Sequence, residues 1–268
     1  MLGKLMHYEL EATGRTFLPL YGGILVVSAI NALLFMAWQL PAGIGISTLV
    51  LVSLYVALMV VFAVITVTRF YKNLLGDEGY LMNTLPVKPG HLILSKLLVS
   101  LVWVVLSGVV AVLTAMVLLA GSINWGNLLQ DLGQIFQLIG EVVAKMPPEG
   151  WQVMGTMILL LLYLLAAAIQ MIMQAYASMC LSQLQPRNSW RVPTAILIYL
   201  GIGAAESIWL SLIGQVLGWG TTYLDWSFEG TASIANWVLG GCIIYALIIS
   251  TIYFQICRYV LQNKLNLE

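Results

Sequence analysis

Charged side chains are scarce in this sequence. Lysine, arginine, aspartate and glutamate make up only 8% of its 268 residues, whereas hydrophobic residues make up 61%. A soluble domain carries about 25% charged residues, so this chain has too few to cover a surface in water. No charged residue of any kind occurs between Arg15 and Arg69. The composition therefore excludes an ordinary soluble protein and predicts a chain that lies in a lipid bilayer.

Sequence motifs that mark catalysis or metal binding are also absent. The two histidines, His7 and His91, belong to no HExxH motif, and there is no GxSxG, CxxC or GxxxxGK[ST] pattern. The three cysteines have no paired spacing and are interpreted as small core residues, at Cys180, Cys242 and Cys257. We therefore expect this chain to have no catalytic residues and to bind no metal or cofactor itself.

Six apolar runs are long enough to cross a bilayer, which takes about 20 residues in a helix. They lie at about residues 18–38, 44–68, 94–120, 153–182, 193–218 and 236–257. We predict an all-α integral membrane protein in which residues 1–268 form a single transmembrane domain.

The basic residues predict the orientation of these spans. With both termini in the cytoplasm, all but one of the 11 lysines and arginines lie inside, and only Lys145 lies outside. Cytoplasmic loops are enriched in lysine and arginine, so we predict a multi-pass protein of the cell membrane with both termini cytoplasmic. Most tryptophans fall near predicted span ends and are expected to be interface anchors, with Trp103 and Trp190 toward the inner side.

Three segments outside the spans have patterns of their own. Residues 1–17 have a rough apolar stripe, which predicts an interfacial elbow helix in the inner headgroup plane or, alternatively, a frayed start. Residues 121–152 predict an amphipathic outer helix, which either packs on the membrane or forms a gate or subunit contact. Residues 219–235 form a short outer segment that either stays outside or dips back into the membrane.

Polar side chains inside the spans are candidates for a substrate path. Glu206 is the one ionisable residue within a span, and we place it beyond the midplane on the outer side. It lines an outer cavity or binds a cationic group of the substrate; the alternative is a protonated or hydrogen-bonded structural carboxyl close to the outer interface. Gln170, Gln174 and Ser178 recur every four residues on one helix face. This face, like Asn31 in the first span, serves either helix–helix hydrogen bonding or substrate contact.

The segment between spans two and three, residues 69–93, is polar and is predicted to be cytoplasmic. Arg69 ends the second span, Gly76 breaks the helix, and Asp77 is a suitable N-cap for a short helix that stops before Pro86. Tyr80, Leu81 and Leu85 share an apolar face on that helix. The alternative is a solvated loop, but an exposed apolar face indicates a protein groove as its partner.

The string GDEGYLMNTLPVKPGHLILSK resembles the region between spans two and three of type-2 ABC exporter permeases. The matching positions are Asp77, Glu78, Tyr80, Leu81, Leu85, Pro86, Ser95 and Lys96. The resemblance implies an elbow helix, six spans and a coupling helix that docks on a separate nucleotide-binding subunit. In its overall pattern the chain also resembles exporters of amphipathic peptides in Firmicutes, of the phenol-soluble-modulin type.

The resemblance further implies the partners and the activity. It implies two ATPase subunits that bind ATP and magnesium, a second permease copy in a homodimer, and a hydrophobic or amphipathic cargo such as cytolytic or antimicrobial peptides. Export of this kind implies a role in antibiotic or multidrug resistance, and no nucleic-acid partner is expected. The alternatives are an ATP-independent secondary carrier and a membrane scaffold that transports nothing.

Overall fold

A computed structural model describes residues 2–38, 41–75, 89–122, 137, 148–185, 190–216 and 228–263. Nearly all of these residues are helical, and no strand occurs among them. The helices are α1 Leu2–Trp38, α2 Pro41–Phe70, α3 Pro89–Ser122, α4 Pro148–Ser182, α5 Arg191–Val216 and α6 Phe228–Asn263. A five-residue π-helical turn, Tyr71–Leu75, continues α2.

All six helices contain a stretch that is long and apolar enough to cross a membrane. The stretches are Leu5–Leu34, Gly45–Leu75, Gly90–Leu118, Met154–Ser182, Arg191–Ile213 and Asn236–Gln262. A helix satisfies its own backbone hydrogen bonds, which is why apolar spans take this form in lipid. For the residues that the structure describes, the prediction of an all-α fold with six helices able to span a membrane is confirmed.

Proline sets where three of the helices begin. Pro41, Pro89 and Pro148 are the first residues of α2, α3 and α4. At this position a proline loses nothing, since the first N–H groups of a helix have no partner within it, and its fixed φ suits the helix. The start of α3 at Pro89 is therefore encoded locally, before the apolar run of the third span.

The N-terminal segment is continuous with the first span. α1 runs from Leu2 to Trp38 without a break and includes Pro19. It contains 37 residues, well above the about 20 that a span requires. An elbow helix distinct from the span is therefore not visible over residues 1–17 and stays a prediction.

The other segments between spans are described only in part. The segment predicted to be cytoplasmic is helical up to Leu75 and again from Pro89, while residues 76–88 lie outside the described residues. The apolar face of the predicted outer helix also lies largely outside the described residues. In the last outer segment, α6 already begins at Phe228, so its second half forms the first turns of that helix.

The chain divides into two compact units, of which the first comprises residues 1–66 and 98–146. Its core is built by α1, α2 and α3, and the buried residues are Phe17, Tyr21, Ile24, Leu51, Leu58, Val99, Trp103 and Val110. The rings of Phe17 and Trp103 stack at 4.6 Å. The Trp103 indole donates a 2.8 Å hydrogen bond to the Thr13 hydroxyl. Trp103 is thus a core residue, and its prediction as an interface anchor is wrong because α1 covers it.

The second unit comprises residues 67–97 and 147–268. In it α4 packs against both α5 and α6. Cys180 on α4 and Cys257 on α6 are free thiols with no exposed surface, as expected for small core residues. Trp190 and Trp237 are exposed, by 55% and 81%, which suits side chains that face lipid or headgroups.

Candidate functional site

A carboxyl cluster lies inside the second unit, where α4, α5 and α6 meet. Gln170 on α4 donates a 2.9 Å hydrogen bond from Nε2 to Oε2 of Glu206 on α5. The Tyr253 hydroxyl on α6 donates to the other carboxylate oxygen, Oε1. Each oxygen of one side chain is therefore bonded to a different helix, and Glu206 links all three.

The cluster lies well inside the spans. At a rise of 1.5 Å per residue, Glu206 is about 22 Å along α5 from Arg191. By the same measure Gln170 is about 18 Å from Ser182, and Tyr253 is about 15 Å from the end of α6. The bonded side chains are thus far from the helix ends that we predict to be cytoplasmic.

Gln174, one turn after Gln170, makes a second contact with α5. Its Nε2 donates a 3.0 Å hydrogen bond to the backbone carbonyl of Tyr199, and the side chain is buried. That carbonyl belongs to the turn that contains Gly203, and a Cβ at Gly203 would lie 3.3 Å from Gln174 Nε2. Gly203 therefore leaves the room that the buried amide needs, which is a close-packing role for this glycine.

The third member of the polar face behaves differently. Ser178 is buried, and its hydroxyl donates to the carbonyl of Ala175 in the same helix at 2.8 Å. Of the three residues on this face, Gln170 and Gln174 thus bond across to α5, and Ser178 bonds within α4. The helix–helix interpretation is correct for the two glutamines.

Asn31 belongs to the first unit and is not part of this cluster. Its Nδ2 donates a 3.2 Å hydrogen bond to the Thr48 hydroxyl, which joins α1 to α2. The side chain is only 4% exposed. Asn31 therefore has the same helix-joining role as the two glutamines, in a different part of the chain.

Sequence reasoning missed two tyrosines. Tyr253 was read as part of an apolar span, and so was Tyr245, which is close enough to Glu206 to interact with it electrostatically. A buried phenol generally requires a hydrogen-bond partner. The signal that could have found them is the presence of two tyrosines on one span of a chain with a single intramembrane carboxyl.

The charge of Glu206 is not balanced by its bonded partners. An amide and a phenol are both neutral, and the sequence has no lysine or arginine in residues 146–186 or 192–257. In the described part of the chain, no group of three or more histidine, cysteine or acidic residues could hold a metal ion. The cluster can accept hydrogen bonds and can attract positive charge.

The predicted contact with an ATPase subunit lies outside the described residues. It comprises Asp77, Glu78, Tyr80, Leu81, Leu85 and Pro86. The described residues on either side of it are firmly packed: Phe70, Leu74, Leu92 and Ile93 are all buried. The Phe70 ring stacks on Tyr176 of α4, with 4.0 Å between ring centroids.

The start of α3 is also held by the second unit. A Cβ at Gly90 would lie 3.4 Å from the ring of Phe254 on α6, so the backbone and the ring are in close contact.

No protein-family model, curated protein or solved structure matches this chain.

Proposed function

We propose that this chain is the transmembrane permease subunit of an ATP-driven exporter of the type-2 ABC class. Two copies would form the membrane part, and two separate ATPase subunits would bind ATP and magnesium. The cargo would be hydrophobic or amphipathic, with cytolytic or antimicrobial peptides as one class. The chain itself would carry out no chemical step.

The observation that carries this proposal is the sequence between α2 and α3. Residues 76–88 place an acidic pair, Asp77 and Glu78, before an apolar turn that ends at Pro86. An acidic start and an apolar face suit a short helix that docks in a groove of another protein. The resemblance to exporter permeases rests on these residues.

The packing on both sides of the segment supports a mechanical role for it. Phe70 and Leu74 before it and Ile93 after it have no exposed surface. A docking segment that is anchored at both ends moves together with its anchors. Interfaces of packed side chains transmit such displacements as shifts of whole helices.

The buried residues next to the docking segment contact α4, the helix that carries Gln170, Gln174 and Ser178. Phe70 stacks on Tyr176, and Tyr176 lies on α4 between Gln174 and Ser178. A displacement of the segment would therefore reach the helix whose glutamines bond to α5. The stack of Phe70 on Tyr176 thus connects the residues next to the proposed docking site with the helix that carries Gln170 and Gln174.

The proposal is tested by purifying the protein from its native membrane in mild detergent. We expect an ATPase chain to co-purify, and its turnover to change when the permease is present. Joint replacement of Glu78, Leu81 and Leu85 by alanine should abolish this association, because it removes both the charge and the apolar face.

A matched control is the joint replacement of Tyr8 and Glu11, two exposed residues predicted to lie on the same side of the membrane. It should leave the association unchanged. Normal ATPase association of the Glu78, Leu81 and Leu85 variant would overturn the assignment of the docking segment.

One observation favours a second candidate, the ATP-independent carrier. Glu206 is an intramembrane carboxyl with neutral partners, and carboxyls of this kind occur in ion-coupled transporters. A carrier would transport its cargo in liposomes that contain only this chain and an ion gradient. An exporter permease would need the ATPase subunits and ATP.

A further inference from the structure

We propose that Glu206 binds the ammonium group of a cationic amphiphile, with the tyrosines of α6 beside it. The inference rests on the proposed function only in calling this ligand a cargo, since binding itself requires neither ATP nor a partner. The ligand class is an organic cation with an apolar body, such as a long-chain amine or the amino group of an amphipathic peptide.

The first argument concerns the two hydrogen bonds to the carboxylate. Gln170 and Tyr253 each donate one hydrogen bond to it, and neither partner is charged. Neutral donors orient a carboxylate and solvate it in part, but they leave its negative charge uncompensated. A charge in this condition within a bilayer is costly unless a cation joins it.

The second argument concerns the source of that cation. The basic residues on α5 and α6 are Arg191, at the start of α5, and Arg258, five residues after Tyr253 and near the end of α6. Arg191 lies about 22 Å away along the helix. α5 and α6 therefore carry basic residues only near their ends, and α4 carries none, so a ligand that reaches the middle of the spans can supply a compensating charge.

The third argument concerns the groups around the carboxylate. The Tyr253 ring is buried beside it, and Tyr245 lies within electrostatic range on the same helix. The surroundings of this carboxylate are otherwise apolar, because it lies within the spans. An ammonium group with an apolar body loses less on entering such a site than a strongly hydrated inorganic ion does.

The fourth argument concerns access from the bilayer. α5 is the least covered of the six spans, with 0% of its most apolar stretch buried. Glu206 itself is half-buried, and Trp209, one turn further along the same helix, is 57% exposed. A ligand that dissolves in the membrane can therefore approach the carboxylate through lipid, with its apolar body beside exposed side chains.

The competing explanation is a structural one, in which Glu206 binds no ligand and only holds the three helices together. The two explanations differ in one respect. A structural carboxyl has no preference between a charged ligand and a neutral ligand of the same shape, whereas a cation site prefers the charged one.

The experiment uses the purified full chain in lipid nanodiscs, without an ATPase subunit. The probe is the dansyl monoamide of diaminododecane, which has a free ammonium group, and its uncharged N-acetyl derivative is compared with it. Fluorescence titration, corrected for empty nanodiscs, gives the ratio of the two affinities. We expect the unmodified chain to prefer the ammonium probe by about tenfold or more, the equivalent of about 1.4 kcal/mol.

The variant Glu206→Gln should abolish this preference, because glutamine keeps a hydrogen-bonding side chain of the same length without the charge. Glu206→Asp should retain it, and this variant also covers the case in which the glutamine variant fails to fold. Ser207→Ala is the control, since its exposed hydroxyl bonds only within α5, to Ala204.

An unchanged preference in Glu206→Gln, or no preference in the unmodified chain, would overturn the site. These outcomes are separate from a failure of the proposed function. Ammonium binding without any ATPase association would support the site and contradict the proposed exporter function. ATPase association without a preference for the ammonium probe would support the exporter function and contradict the site.

Discussion

The ring of Trp103 is packed in the core, and its indole N–H has a hydrogen-bond acceptor. It is 5% exposed, it stacks on Phe17, and its N–H donates to the Thr13 hydroxyl. Thr13 in turn donates to the carbonyl of Glu9 in its own helix at 2.7 Å. The Tyr21 hydroxyl adds contacts to the Trp103 carbonyl at 3.1 Å and to Ser107 at 2.8 Å. Several polar atoms in the first core are thus paired across α1 and α3.

We expect Trp103→Phe to lower the free energy of unfolding by about 1–2 kcal/mol, because it removes one hydrogen bond and part of a buried ring. The Thr13 hydroxyl keeps its acceptor in α1, so no buried donor is left without a partner. Denaturation by a graded mixture of detergents measures the change. Trp237→Phe is the control and should change stability by less than about 0.5 kcal/mol, since Trp237 is 81% exposed. Equal losses in the two variants would contradict a core role for Trp103.

At the same scale, the sequence identified one half of the carboxyl cluster. Glu206 was found because a charge within an apolar run is rare, and Gln170 and Gln174 were found by their four-residue spacing. Tyr253 was missed because a tyrosine in a span is equally compatible with an interface position. Trp103 was misassigned for a related reason: which helix covers a side chain depends on tertiary packing, which has no local signal.

At the scale of the helix, Gly203 determines how closely α5 can approach α4. A side chain at this position would meet the amide of Gln174, which is bonded to the Tyr199 carbonyl. Gly201 lies on the same helix two residues earlier, and a Cβ there would meet nothing within 4 Å. The two glycines therefore form a matched pair, one at a contact and one in open space.

We expect Gly203→Val to destabilise the protein by about 1–3 kcal/mol, because it displaces the Gln174 amide and leaves a buried polar group unpaired. Gly201→Val should have a much smaller effect, although the change in intrinsic helix propensity is the same. Thermal unfolding of both variants in detergent measures the difference. If the two valines destabilise the protein equally, the close approach at Gly203 is not what limits the packing.

The positions of the spans were predictable, but the limits of the helices were less so. Each span was found because a long apolar run has few alternatives to a helix in lipid. The elbow was predicted from a stripe in residues 1–17, yet α1 continues through Phe17 and Leu18 without a break. Both parts of the sequence favour helix, so nothing local marks the place where an interfacial segment would turn into a span.

At the scale of the whole molecule, sequence order predicts most of the helix packing, since α1–α3 form one core and α4 packs with α5 and α6, but it does not predict where the two units divide. The end of α2 and the start of α3 belong to the unit of α4–α6, while most of both helices belongs to the unit of α1. This division follows from the buried faces, such as the stack of Phe70 on Tyr176. The proposed docking segment is consequently anchored in the unit that contains Glu206.

The distribution of basic residues predicts how the whole molecule is oriented in the membrane. If both termini are cytoplasmic, residues 219–227 lie outside and residues 264–268 lie inside. In a variant in which Cys180, Cys242 and Cys257 are replaced by alanine, we introduce one new cysteine at a time. Thr222→Cys should react with a membrane-impermeant maleimide in intact cells. Asn266→Cys should react only after the cells are permeabilised, because positively charged loops stay in the cytoplasm.

The parent variant without cysteines provides the background for this labelling. In the unmodified chain the thiols of Cys180 and Cys257 are fully buried. Alanine removes one atom at each site, so the fold should be retained at some cost in stability. Labelling of Asn266→Cys in intact cells would contradict the predicted orientation and indicate the opposite one. In that case residues 76–88 would face away from cytoplasmic ATP, and the proposed docking on an ATPase subunit would be excluded by topology alone.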